Sequence, residues 1–186
     1  MTGMRARWMA AALAAMLAAS VSAHDHAEAG RADAVEQGKL LFRGPAAHWP
    51  QALVLFGGAA AAGDGRAAYY LGLMHKNGMG TVRDDAAARR WLAVAAAQQL
   101  PDAMFVLANM LLGGESGSEV EAKVEENALA ARRWLERAAD LGHAEAALQI
   151  ALGLREGSIG FTRDPEQAEI YLKEAGHALR HRPARP

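Results

Sequence analysis

The pentapeptide ARRWL occupies Ala88–Leu92 and recurs, letter for letter, at Ala131–Leu135. One short identity in a chain rich in alanine and arginine carries little weight, so the flanks decide. In the frame of the two copies Asp84 falls over Asn127, Ala95 over Ala138 and Ala96 over Ala139. The same frame finds a third copy in Asp164, Ala168, Tyr171, Leu172, Ala175 and Gly176. Upstream of each lies a second matched segment: AAYYLGLMHKNG, AMFVLANMLLGG and AALQIALGLREG. These align Ala67 with Ala103 and Ala146, Leu71 with Leu107 and Ile150, and Gly72 with Ala108 and Ala151. Each closes on a glycine, Gly78, Gly114 or Gly157, seven residues after the Leu or Ile. So many coordinated matches exclude coincidence.

The unit is about 36 residues, a period that signals a stacked array, and copy two is seven residues longer in its middle. Both halves place apolar and small residues at helical spacing: Leu71, Gly72 and His75 in one, Trp91, Ala95 and Ala96 in the other. Asp84, Asn127 and Asp164 stand where a side-chain oxygen would cap the second helix. Pro165 follows at the first helical position, where its missing N–H costs nothing. The three glycines stand just past the first helix, where a left-handed residue is wanted. This predicts an all-α solenoid of antiparallel helix pairs. Small residues allow close helix crossings, larger ones fill the gaps between pairs, and one pair alone cannot bury its apolar stripe. Leu55, Ala59, Ala60 and Gly63, 36 residues before Trp91, Ala95, Ala96 and Gln99, mark a degenerate unit at the N-terminal end. Its first helix is expected over Asp33–Phe42.

The start of the chain has a different character. Arg5 and Arg7 precede an apolar run from Trp8 to Ala19, and Val21-Ser22-Ala23 has the form of a signal-peptidase site. The run is too short to span a bilayer. A cleavable leader over 1–23 implies a periplasmic or secreted protein with no membrane insertion after cleavage. Its removal takes the formal charge from −1 to −3, because it carries Arg5 and Arg7, and leaves no basic footprint for nucleic acid. The chain has no cysteine, which excludes disulfides and thiolate chemistry. The expected organisation is a loose segment 24–32, the degenerate unit 33–63, and units 64–100, 101–142 and 143–177. The second carries an acidic loop insertion over 114–126, and a tail follows over 178–186.

The unit from Ala67 to Gln99 resembles a Sel-one-like repeat, a relative of the tetratricopeptide repeat. Ala67, Leu71, Gly72, Gly78, Gly80, Asp84, Ala88, Trp91, Ala95 and Ala96 fit that pattern. His75 stands in place of its Tyr and Gln99 in place of its Gly. The resemblance implies a right-handed superhelix with three clear repeats, in a family whose members usually serve as adaptors, often in bacterial envelopes.

By analogy with tetratricopeptide arrays, the first helices line a concave face. The positions expected to bind a protein or peptide there are Tyr69, Lys76, Phe105, Asn109, Leu112 and Arg155. Aromatics anchor an extended segment, an Asn amide can pair with its backbone, and cations can hold a carboxylate. The opposing reading packs Tyr69 and Phe105 against neighbouring helices. Arg132 and Glu136, four apart, read as an ordinary surface pair, and Arg89 and Arg90 as a solvated face. Trp91 and Trp134 are expected in the core. No nucleophile turn, metalloprotease motif or phosphate loop appears, so no catalysis and no cofactor is expected; a small cell-wall hydrolase is the weakest alternative. The other alternative is a periplasmic metal-binding protein. Cleavage after Ala23 would leave His24-Asp25-His26 at the N-terminus, where the free amine, two amides and the His26 imidazole make a square-planar nitrogen set for Cu(II) or Ni(II). His24 offers a second chelate through its own amine and ring.

Overall fold

Eight α-helices follow one another in the computed structural model, which describes residues 28–113 and 121–180. They are α1 over 28–43, α2 Trp49–Ala61, α3 Gly65–Asn77, α4 Asp85–Ala97, α5 Pro101–Leu112, α6 Glu121–Asp140, α7 Ala144–Glu156 and α8 Pro165–Arg180. The expected leader over 1–23, His24 and His26, Gly114 with the start of the acidic insertion, and the chain from 181 lie outside the described residues. The chain is all-α and solenoid-like: α3 packs on α4, α5 on α6 and α7 on α8, and each pair packs on the next through α4–α5 and α6–α7.

Local chemistry sets the ends of these helices. The Asp64 carboxylate accepts from the Arg66 and Ala67 amides at 2.8 and 3.0 Å and starts α3. Asp84 does the same for α4 through Ala87, at 2.8 Å. Asp164 caps α8 through Gln167, at 3.0 Å, with Pro165 at the first helical position. Gly78 and Gly157 close α3 and α7 at φ 67° and 72°. These are left-handed conformations in which a Cβ would be strained.

Three expectations are corrected. Asn127 is not a cap, because α6 begins by Glu121 and runs straight through it. The insertion is therefore helical from 121 onward rather than a loop to 126. At the N-terminal end α1 already covers 28, so residues 28–32 are not loose. The Arg31 guanidinium donates to the Ala62 carbonyl at 2.7 Å, tying the helix to the end of α2. At the other end α8 continues through 178–180 instead of giving way to a tail.

The core runs along the stack. Phe56, Met74, Leu92, Met104, Leu135 and Ile150 are fully buried. Small residues sit at the crossings, and the distances show why. A Cβ added at Gly72 would lie 2.8 Å from the Leu92 side chain, and one at Gly38 would lie 2.7 Å from the Phe56 ring. Trp91 and Trp134 are half-buried and pack against this core. The turns also engage neighbouring pairs. A Cβ on Gly80 would meet the backbone of Trp49 at 2.6 Å, and Gly160 lies against Ala128 and Leu129 of α6. Trp49 and Ala128 are corresponding positions of the repeat, 36 residues before and 43 after Asp85. In units one and three the turn therefore seats on the second helix of the preceding unit.

Candidate functional site

The first helices α3, α5 and α7 bring the expected residues onto neighbouring elements. Tyr69 is half-buried, edge-on to Tyr70 at 5.5 Å. Burial pushes its phenol up to about 12, with the charge of Asp102 and the neighbouring Tyr70 adding to the shift. Its hydroxyl is accordingly neutral, a donor and acceptor at any physiological pH. Tyr70 turns inward, stacked on Phe56 at 4.9 Å. The aromatic pair at 69 and 70 is thus divided between face and core.

Phe105 is half-buried and stacks on the His143 ring, with centroids 4.7 Å apart and planes at 27°. His143 is the cap of α7, a role the repeat frame did not reveal because the matching residues are Asp64 and Leu100. Its Nδ1 accepts from the Ala146 amide at 3.2 Å. This assigns the proton to Nε2, which donates to Asp102 Oδ1 at 3.2 Å. The Glu145 carboxylate lies 3.5 Å from Nδ1. One buried ring therefore caps α7, ties it to α5 and backs Phe105.

Asn109 is engaged within the fold rather than held open for a partner. Its Nδ2 donates to the Phe105 carbonyl at 2.9 Å, and its Oδ1 accepts from Gln149 on α7 at 3.1 Å. One amide hydrogen and one lone pair remain for anything else. Leu112 is half-buried against the core. Lys76, half-buried, lines a hollow of about 280 Å³ together with Asn109, while Arg155 stands exposed at the end of α7. The structure thus gathers Tyr69, Phe105, Lys76 and Asn109 along α3 and α5. It sets Arg155 one helix further on.

Two features escaped the sequence reading. Arg83 and Asp85 form a forked ion pair, at 3.0 and 2.7 Å, beside Lys76. The signal was the glycine turn itself, which folds the end of α3 back onto the start of α4. Arg132 pairs with Glu136 at 2.9 Å, as the spacing predicts. It also donates to the Gly160 carbonyl at 2.9 Å and lies 4.6 Å over the Phe161 ring, so it clamps the turn of the next unit. Among the described residues no group of three or more His, Asp or Glu is arranged to hold a metal, and no helix is long and apolar enough to cross a membrane.

The pattern of the Sel1 repeat matches residues 65–100, 101–143 and 144–178. A solved Sel1 repeat protein from Oxalobacter formigenes is similar in fold, with a TM-score of 0.66 and 24% identity over 80% of this chain and 58% of its own. So is c5321, a protective antigen present in uropathogenic Escherichia coli strains displaying an SLR fold. Its TM-score is 0.66 and its identity 22%, over 81% of this chain and 32% of its own. The chain spans less than two thirds of the length of either structure. No curated protein matches it.

Proposed function

Because the chain belongs to the Sel1 repeat family, we propose that it is a non-catalytic interaction module that holds a protein or peptide segment across α3, α5 and α7. Repeats of this kind commonly serve as scaffolds, which sets the class of function but not the partner. The observation that carries the reading is the pair of half-exposed aromatic rings on adjacent first helices. Each is held by a neighbour: Tyr69 by Tyr70, Phe105 by His143. Rings fixed in this way lose little entropy on binding, which is what an anchor for an extended segment needs. Arg155 and Leu152, both exposed on α7, extend the same face. Export of the protein through the leader 1–23, with cleavage after Ala23, belongs to the same proposal and is read by mass spectrometry of the mature N-terminus.

The test is affinity capture with the parent and a Tyr69→Ala/Phe105→Ala variant in parallel, with helicity checked by circular dichroism. Anchors of this type contribute about 2 kcal/mol or more each. A partner held by the parent should therefore be lost by a folded double variant. Equal capture by both proteins would move the site off this face.

A further inference from the structure

Helix pairs inside the array have a neighbour on each side: α4 packs on α3 and α5, and α6 on α5 and α7, whereas α8 packs on α7. The last pair therefore ends in the face through which earlier pairs receive the next one. Matched positions of the repeat mark that face. Asn109 of α5 meets Gln149 of the next unit at 3.1 Å, and its counterpart in α7 is the exposed Leu152. Arg132 of α6 reaches the Gly160 carbonyl of the next turn, and its counterpart in α8 is the exposed Glu169. Leu172 is half-buried where Leu92 and Leu135 are sealed. Gly176 stands where α4 has the fully buried Ala96. Within 4 Å a Cβ on Gly176 would meet the Arg180 guanidinium alone, at 3.7 Å, so the backbone is open to close approach. Charge along α8 is also segregated. Glu166 and Glu169 lie in its first half, Lys173 and Arg180 in its second, and all four are exposed. Glu174 is on another flank, lining a hollow with Asp140 of α6.

We infer that this end face is covered by a second copy of the chain, with α8 lying antiparallel on α8 of its partner around Leu172 and Gly176. The acidic half of each helix then meets the basic half of the other. A parallel pairing would set Glu against Glu and Lys against Lys, which costs energy on both sides. A two-fold axis across the helices generates the antiparallel arrangement, and such a contact closes after two copies. It also has the anatomy of a protein interface, an apolar centre within a charged rim. The opposite end of the array does not offer an equivalent seat. The outer side of α1 presents Asp33, Glu36 and Gln37, with Leu40 as its exposed large apolar residue, and so suits a cap in water. The inference goes beyond the interaction-face reading and does not depend on it. Leu152 lies where the two surfaces meet, but α8 carries neither Tyr69 nor Phe105.

Sedimentation equilibrium over a range of concentrations tests this, with circular dichroism to confirm that each variant keeps its helicity. The mass of the parent should rise from one copy to two and stop there. Glu166→Lys/Glu169→Lys makes α8 basic throughout and should weaken the dimer about tenfold or more. Adding Lys173→Glu/Arg180→Glu reverses the polarity of the helix and should restore the dimer, because opposite charges again face each other in the antiparallel pair. Gly176→Phe, which the single copy has room to accept, should keep the protein monomeric by holding the two helices apart. A mass of one copy up to about 1 mM would overturn the inference, as would a dimer untouched by both the charge reversal and Gly176→Phe. Growth past two copies would replace it with head-to-tail addition of α8 onto α1. Dimers seen only after removal of residues 181–186 would instead assign the face to the chain's own end.

Discussion

Gln99 stands at φ 60°, in the left-handed region, at the position where the flanking repeats carry Gly63 at 93° and Gly142 at 81°. An L side chain there costs roughly 1–2 kcal/mol relative to glycine, less what glycine loses in unfolded-state entropy. Gln99→Gly should therefore stabilise the protein by about 0.5–1 kcal/mol, visible as a higher urea midpoint at unchanged slope. A lower midpoint would mean that the glutamine side chain makes a contact worth more than its strain. Ile159, at φ 57°, is the other non-glycine residue in this region among those described. It is half-buried and packed on the core, so packing offsets its backbone cost. At this scale much was legible: Asp84 and Asp164 cap where they should, and Gly78 and Gly157 close their helices. His143 was not, because a ring nitrogen accepting an amide has no signature in the repeat frame. Asn127 misled for a related reason. A residue matched to a capping position caps only if the helix stops there, and the alanine- and glutamate-rich stretch before it favours helix on its own.

Between elements, the turns matter more than their length suggests. Gly80 and Gly142 have similar left-handed angles, 71° and 81°. A Cβ at Gly142 would meet nothing within 4 Å, whereas one at Gly80 would meet Trp49 backbone at 2.6 Å. Gly142→Ala should then cost only the conformational penalty, about 1–2 kcal/mol. Gly80→Ala should cost clearly more, because α2 must move to admit the methyl group. Parallel thermal melts of the two variants measure the difference, and equal losses would show that the turn of unit one does not depend on its seat. The pairing of helices was readable from the spacing of small residues. Contacts from turn to neighbouring helix were not, since they join residues some 30 positions apart that no local pattern connects. The same limit applied to the face. Its residues were placed on the right helices, but the bonds of Asn109 to Gln149 and of Asp102 to His143, which decide what remains open, cross between repeats.

Over the whole molecule the repeats are equivalent in pattern but not in burial. Leu92 and Leu135 are fully buried, each on a helix that packs on the next pair. Leu172 holds the same position in α8 and is only half-buried. Leu92→Ala should cost about 2–5 kcal/mol, within the range for a sealed core leucine, and Leu172→Ala distinctly less. Chemical denaturation of both variants gives the comparison, and equal costs would imply that α8 is covered by something outside the described residues. In an array held by nearest-neighbour contacts, stability is a sum over units and interfaces. An end unit therefore contributes one interface fewer. The seats of the turns add a direction to this sum. Gly80 rests on α2 and Gly160 on α6, each a helix that lies earlier in the chain. A ribosome delivers the chain from its amino end, so in both places the supporting helix has left the exit tunnel before the turn that leans on it. The array can be laid down like courses of brick, each set on one already in place, and the order of synthesis matches the order of support.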